Sequence, residues 1–200
     1  KKLFVGANLN FCDISGTALK QLMDKYPEYL DNCFLMQKNQ VNLPDKSFDV
    51  IVSVEVMEHV LDLHKYLSEI QRLLKVGGFF IWTTPCANPL SIEHIYSLIT
   101  HQIDKTKEGF RRWKWEDEGH LRRLKSKEIK IILEKHGFNK LIIFRFRAHF
   151  FSFIFSRTIL KECPMKIREF FMELDYKLFR NFSNGASMIG AAQKSYIDDK

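Results

Sequence analysis

Cysteine is sparse and unpatterned in this 200-residue sequence, which has only Cys12, Cys33, Cys86 and Cys163. None belongs to a Cys-x-x-Cys pair, so neither a disulfide framework nor a cysteine-rich zinc site is indicated. Long apolar runs are also missing, and we find no signal peptide and no transmembrane segment. These absences exclude the disulfide-rich secreted and the membrane-spanning classes. We therefore expect free thiols in a cytoplasmic protein.

Glycine is scarce as well, with nine residues and no Gly-x-Gly-x-Gly anywhere in the sequence. The chain is 46% apolar and 28% charged, which is typical of a single globular domain at this length. The net charge of +7 permits an anionic partner, although such a charge more often serves solubility. Because the sequence begins with Lys1 rather than methionine, we treat residues 1–200 as one domain within a longer natural protein.

Residues 47–85 have the pattern of a strand, a helix and a second strand. The β-branched run from residue 48 to 54 predicts a strand buried on both faces. The apolar stripe of the following helix comprises Leu63, Leu67, Ile70 and Leu74. We expect Gly77 and Gly78 to end this helix and residues 79–84 to form a buried strand. A crossover of this kind implies parallel strands.

The same stretch resembles a known family. Asp49 lies just inside the first strand, the pair Glu58-His59 follows that strand, and the second strand ends in Thr-Thr-Pro85 after a Leu-Lys-x-Gly-Gly turn. This pattern resembles the second half of class I S-adenosylmethionine-dependent methyltransferases, particularly the ubiquinone-biosynthesis O-methyltransferases of the small-molecule branch. The resemblance implies an α/β, three-layer Rossmann-like fold with a mainly parallel sheet. It also implies an antiparallel last strand, expected at the sheet edge over residues 186–192.

The resemblance places the ribose of S-adenosylmethionine at Asp13, with Ile14 beside it. A carboxylate at the carboxyl end of a strand can accept hydrogen bonds from two vicinal hydroxyls at once. The alternative is that Asp13 bonds only its own turn. The family's first strand and glycine-rich loop should precede Asp13, yet Gly6 is the only upstream glycine. We expect either a longer N-terminus in the natural protein or a degenerate relative without transfer activity.

The adenine side of the cofactor is assigned by the same resemblance to Asn39 and Gln40. Asn39 stands where the family usually has aspartate, and its side-chain carbonyl can still accept from the adenine amine. Val54 and Glu55, at the end of the following strand, are expected to form the floor of the cofactor site.

Glu58 and His59 are the predicted catalytic residues, with His59 facing the methyl acceptor. Methyl transfer requires alignment and exclusion of water, and it needs a base only for a hydroxyl or a protonated amine. If a helix begins directly after Val54, the i, i+3, i+4 spacing places Glu55, Glu58 and His59 on one face. With His120 of the Gly-His-Leu-Arg turn, these residues form an alternative divalent-metal site, which resembles that of small-RNA 2′-O-methyltransferases. The main prediction contains no metal, and the resemblance to metal-free relatives implies that Glu58 caps the helix while His59 lines the substrate pocket. A second alternative is that the two residues form a purely structural pair.

Two insertions complete the domain. Residues 86–124 are predicted to form a lid, in which Arg111, Arg112, Trp113 and Trp115 either stack on a planar substrate or form an amphipathic helix face. Residues 148–184 form an aromatic and basic helical insertion divided by Pro164. Its two helices either pack their aromatic side chains onto the sheet and the lid, or residues 148–182 contact a membrane peripherally or receive an apolar substrate.

The function expected from these features is S-adenosylmethionine-dependent methyl transfer to a small-molecule acceptor, with lipid-like and saccharide acceptors both open. The alternatives are an RNA 2′-O-methyltransferase with a divalent metal and a catalytically inactive binding protein. Nucleic acid is the partner that the first alternative requires.

Overall fold

The computed structural model describes residues 6–116, 118–151 and 162–195. In chain order, the first half contains β1 (Phe11–Asp13), α1 (Gly16–Lys25), a 3₁₀ helix (Pro27–Asn32), β2 (Cys33–Leu35), β3 (Phe48–Val54), α2 (Leu63–Leu73) and β4 (Leu74–Pro85). The second half contains α3 (Ile92–Ile99), β5 (Ile103–Lys105), β6 (Arg111–Trp113), α4 (Ser126–Lys135), β7 (Leu141–Arg147), α5 (Met165–Phe179) and β8 (Ser187–Gln193). The order is that of an α/β protein.

The central sheet has four strands in the order β3, β4, β8, β7. β3 and β4 are parallel, while β8 is antiparallel to both of its neighbours. The predicted parallel sheet with an antiparallel last strand is therefore confirmed, but the prediction of an edge position was wrong, because β8 lies inside the sheet. Gly190 shows why a small residue is needed there, since a Cβ at this position would lie 2.0 Å from the Trp82 ring.

The crossover from β3 to β4 is confirmed as parallel, with one correction at its end. Asp62 caps α2 by accepting from the Lys65 amide, and the predicted apolar stripe is buried. The helix ends at Leu73, and Gly77 lies inside β4 with a φ of 78°. The glycine pair lies where the β3–β4 register shifts, so it forms an irregularity within the strand and does not end the helix.

The two faces of the central sheet are unequally covered. On one face, Phe80 and Trp82 are fully buried in a core with residues of α2 and α4. On the other face, Val50, Val52 and Val54 are 46%, 53% and 61% exposed. The prediction that β3 is buried on both faces was therefore wrong, because no described element covers these valines. β1 and β2 form a separate parallel pair.

The first predicted insertion contains α3 and an antiparallel hairpin of β5 with β6. The interpretation of its basic aromatic stretch as a helix face was wrong, because residues 111–113 form a strand. Trp113 is fully buried, so stacking on a substrate stays a prediction for the half-buried Trp115. Arg111 instead pairs with Glu128 through two hydrogen bonds of 3.0 and 2.9 Å. This contact ties the hairpin to α4.

The second predicted insertion is described only in part, since residues 152–161 lie outside the described residues. Pro164 directly precedes α5, which exposes Ile167, Phe170 and Leu178. Membrane contact through residues 148–182 stays a prediction. Within the described ranges, no helix combines the length and the apolar character needed to cross a bilayer.

Candidate active site

The segment after β3 is a loop, residues 55–62, and not the start of a helix. Glu55 has a φ of 51°, which is left-handed backbone, and α2 begins only at Leu63. The prediction that Glu55, Glu58 and His59 share a helical face was therefore wrong. Glu58 does not cap the helix either, because Asp62 is the residue that does so.

This loop is bound tightly to a second loop, residues 118–123. The Leu121 amide donates to the Glu58 carbonyl at 2.8 Å, and the His59 ring contacts the Gly119 carbonyl at 2.8 Å. Arg122 is buried, and its guanidinium donates to the carbonyls of Met57, Val60 and Leu61. Burial lowers the pKa of Arg122. The two loops therefore hold each other in place around Glu58 and His59.

Glu58 is the most buried acidic group of this region, with 1% of its surface exposed. Its Oε2 accepts from the Thr84 hydroxyl at 3.0 Å, while Oε1 is buried without a hydrogen-bond partner. Burial raises the pKa of Glu58, and the neighbouring Glu55 carboxylate raises it further. A buried carboxylate oxygen without a partner is costly, which suggests that a proton, a cation or a ligand group belongs beside it.

His59 and His120 face each other beside Glu58, with ring centroids 4.7 Å apart. Nδ1 of His59 lies 2.8 Å from the Gly119 carbonyl, and Nδ1 of His120 lies 3.0 Å from Oε1 of Glu116. A carbonyl and a carboxylate can only accept, so both Nδ1 atoms donate and each ring keeps Nε2 for another contact. Ligand atoms of Glu58, His59 and His120 all lie within 4.8 Å of one another. We call these three residues the histidine–glutamate cluster.

Glu55 does not join the histidine–glutamate cluster. Its Oε1 accepts from Arg147 at 3.1 Å, across the carboxyl ends of β3 and β7. Three of the four residues of the alternative metal set therefore come together, and the fourth is engaged elsewhere.

Asp13 is the last residue of β1, and its carboxylate is exposed. Its Oδ1 accepts from the Ser15 amide at 2.8 Å, so the turn contact foreseen as the alternative is present. Because this contact uses only Oδ1, the carboxylate can still accept a hydrogen bond from a ribose hydroxyl. Ile14 and Val54, also expected near the cofactor, are 74% and 61% exposed.

Asn39 lies in the turn after β2 with a φ of 64°. Its Nδ2 donates to the Asp62 carbonyl at 3.3 Å, which leaves the side-chain oxygen as an acceptor for an amine. Gln40 forms a bridge with Gln37 through backbone hydrogen bonds. Asp13 and Asn39 thus each keep a side-chain oxygen that can accept a further hydrogen bond, and the described residues contain no glycine-rich loop before Asp13.

Sequence reasoning missed three residues that shape the cluster: Thr84, Glu116 and Arg122. Thr84 belongs to the Thr-Thr-Pro end of β4, and Arg122 to the Gly-His-Leu-Arg turn, so both lay within quoted motifs. Glu116 precedes His120 by four residues, a spacing that one turn of chain can bring into contact.

The family of methyltransferase domains matches residues 9–142, and the chain belongs to it. A ubiquinone biosynthesis O-methyltransferase of Ruegeria is 48% identical over 46 residues, which are 23% of this chain and 19% of that protein. A protein of Mycobacterium tuberculosis, named a probable S-adenosylmethionine-dependent methyltransferase, is 33% identical over 75 residues, or 36% and 26% of the two chains. This is a class I S-adenosylmethionine-dependent methyltransferase domain.

A crystal structure of a SAM-dependent methyltransferase from Thermotoga maritima has the same fold. Its TM-score is 0.58 at 16% identity, over 94% of this chain and 73% of the other. The matched part of this chain spans between 18% and 26% of the curated relatives named S-adenosylmethionine-dependent methyltransferases.

Proposed function

We propose that this domain transfers a methyl group from S-adenosylmethionine to a hydroxyl of a small-molecule acceptor. The observation that carries the proposal is the histidine–glutamate cluster. Glu58 and His59 lie in the loop after β3, His120 lies in the loop of residues 118–123, and hydrogen bonds join the two loops. Asp13, Asn39 and Gln40 belong to the cofactor side, together with Ile14, Val54 and Glu55.

When bound, S-adenosylmethionine supplies a methyl group activated by a positive sulfur. Asp13 binds the ribose hydroxyls, and Asn39 accepts from the adenine amine. At the acceptor, His59 Nε2 would take the proton of the hydroxyl that receives the methyl group. The contact of His59 Nδ1 with the Gly119 carbonyl holds the ring in the tautomer that this role requires.

A hydroxyl acceptor is favoured by two imidazole rings that both present Nε2, since a neutral amine needs no base. The relative named as a ubiquinone biosynthesis O-methyltransferase supports the same choice of atom. Neither relative's name favours an RNA acceptor or an inactive binding protein. The four cysteines are free thiols, which suits a cytoplasmic location.

The test is calorimetric titration of S-adenosylhomocysteine into the protein. We expect micromolar binding that Asp13→Ala weakens about tenfold, because a charge-assisted hydrogen bond is lost. Asp24→Ala is the matched control, since Asp24 is an exposed aspartate on α1. Absence of binding, or equal effects of the two substitutions, would contradict the cofactor assignment.

A second candidate adds a divalent transition-metal ion to the acceptor side. Two imidazoles and one carboxylate are a common set for such ions, and Glu58 Oε1 lacks a partner. Both Nδ1 atoms are held by acceptors, as in many metal sites. A cation there would bind the acceptor hydroxyl and lower its pKa.

Cobalt absorption spectroscopy separates the two candidates without any activity measurement. With a metal site, Co²⁺ gives visible bands that Glu58→Ala and His120→Ala abolish and that the control His101→Ala leaves unchanged. If no bands form and chelators leave methyl transfer intact, His59 acts as a base without a metal.

A further inference from the structure

Glu116 is a buried acidic residue that neither candidate mechanism uses. Only 3% of its side chain is exposed. Its Oε2 accepts from the Trp113 amide at 2.8 Å, and its Oε1 accepts from Arg123 at 2.6 Å and from His120 at 3.0 Å. The carboxylate is thus fixed by β6 on one side and by Arg123 on the other.

Arg123 anchors this group to the central sheet. Its guanidinium lies over the rings of Trp113 and Trp115 and contacts the carbonyls of Cys86 and Ala186, beside the ends of β4 and β8. Glu116 is therefore held rigidly relative to the sheet, and through its hydrogen bond so is the His120 ring.

The two histidines of the cluster differ in what holds them. His59 donates to a neutral backbone carbonyl, whereas His120 donates to a carboxylate. A carboxylate acceptor fixes the Nδ1-protonated tautomer more firmly and increases electron density at Nε2. The tautomer of His120 therefore depends on a side chain that can be substituted, whereas the tautomer of His59 depends on the backbone.

We propose that Glu116 is a positioning residue that holds His120 in the Nδ1-protonated tautomer, so that Nε2 stays available to the acceptor. The functional part of this inference depends on the methyl-transfer function proposed above. The tautomer itself is a property of the protein alone and can be measured without cofactor or acceptor.

The rival explanation is that Glu116 only neutralises Arg123. Glu93 provides the matched control, because its Oε2 also accepts from Arg123, at 3.0 Å, while the hydrogen bonds of His120 do not involve it. If neutralisation were the whole role, Glu93→Gln and Glu116→Gln would have similar effects.

The experiment is ¹⁵N NMR of the histidine rings at fixed neutral pH in the wild type, Glu116→Gln and Glu93→Gln. We expect Nδ1-protonated His120 in the wild type and in Glu93→Gln, and a mixture with the Nε2-protonated form in Glu116→Gln. Methyl transfer by Glu116→Gln should fall about 10- to 100-fold in kcat, with unchanged affinity for S-adenosylhomocysteine.

Nε2-protonated His120 in the wild type would overturn the proposal even if Glu116→Gln failed to fold. Equal effects of the two substitutions on the ring would overturn it as well. A shifted tautomer in a protein that transfers no methyl group would instead refute the proposed function and leave the positioning role standing.

Discussion

Two pairs of histidines contact each other in this molecule, and their hydrogen bonds differ. His59 and His120 use Nδ1 on outside acceptors and turn toward buried Glu58. His64 and His136 bond each other, with Nδ1 of one 3.0 Å from Nε2 of the other, and Ser68 lies 3.4 Å from the remaining His136 nitrogen. In the first pair both Nε2 atoms are left for a ligand, whereas in the second pair three of the four ring nitrogens already have partners within the described residues. Hydrogen-bond partners, and not proximity, thus distinguish a site from a structural contact.

The largest effect should come from breaking the first pair. His120→Ala should lower methyl transfer about 100-fold or more, because a group that handles the acceptor proton or binds its oxygen is lost. His136→Ala should leave the rate within about twofold. Steady-state kinetics with labelled S-adenosylmethionine measure both, and similar losses in the two variants would remove the distinction between the pairs.

The loop contact that builds the first pair should be costly to remove. Arg122→Ala leaves three carbonyls without their donor, and we expect a loss of about 3 kcal/mol in the free energy of unfolding. Arg145→Ala is the control, because the guanidinium of this exposed arginine donates to the carbonyl of the adjacent Phe144 and to no other group in the described ranges. Urea unfolding provides the comparison, and equal stability of the two variants would show that the loops do not depend on Arg122.

A substitution of Glu55 tests whether this residue belongs to the cluster. Because its carboxylate pairs with Arg147, Glu55→Ala should leave Co²⁺ affinity within about threefold while Glu58→Ala abolishes binding. Spectroscopic titration measures both. A large loss of Co²⁺ affinity in Glu55→Ala would restore the four-residue site that the sequence alternative contained.

The smallest effect should be on the pH dependence of stability, through the pair of His64 and His136. Burial, and then the positive charge of His64, lower the pKa of His136 below its ordinary value of 6.5. The folded state therefore disfavours protonation, and the stability contribution present above pH 6.5 is lost as the pH falls through the lowered pKa. His136→Gln should reduce this acid sensitivity, measured as the difference in urea midpoint between pH 5.5 and 7.5. His101→Gln should not, and an unchanged pH dependence in His136→Gln would contradict the assignment.

The sequence predicted the elements that depend on local pattern. The stripe of α2 and the parallel crossover both follow from residue spacing. It failed at Glu55, because a left-handed residue delays α2 by eight positions and no spacing rule reveals that. The partner of His120 was not predicted either, because hydrogen bonds from the Trp113 amide and from Arg123 position Glu116, and no local pattern reveals them.

The exposure of β3 was also beyond the sequence. A run such as Val50, Val52 and Val54 shows that a face is apolar, but its burial depends on which other element covers it. The position of β8 at the end of the sequence does not reveal that it lies between β4 and β7. The strand pairing of the folded protein shows this arrangement.

The measurement that tests the central claim most directly is transfer of a labelled methyl group to a panel of small hydroxyl and amine acceptors. The wild type, His59→Ala and His64→Ala would be compared. The account predicts products only at hydroxyl groups, loss of about 100-fold in His59→Ala and wild-type rates in His64→Ala. Equal activity of the two variants, or no transfer to any acceptor by a protein that binds S-adenosylhomocysteine, would contradict it.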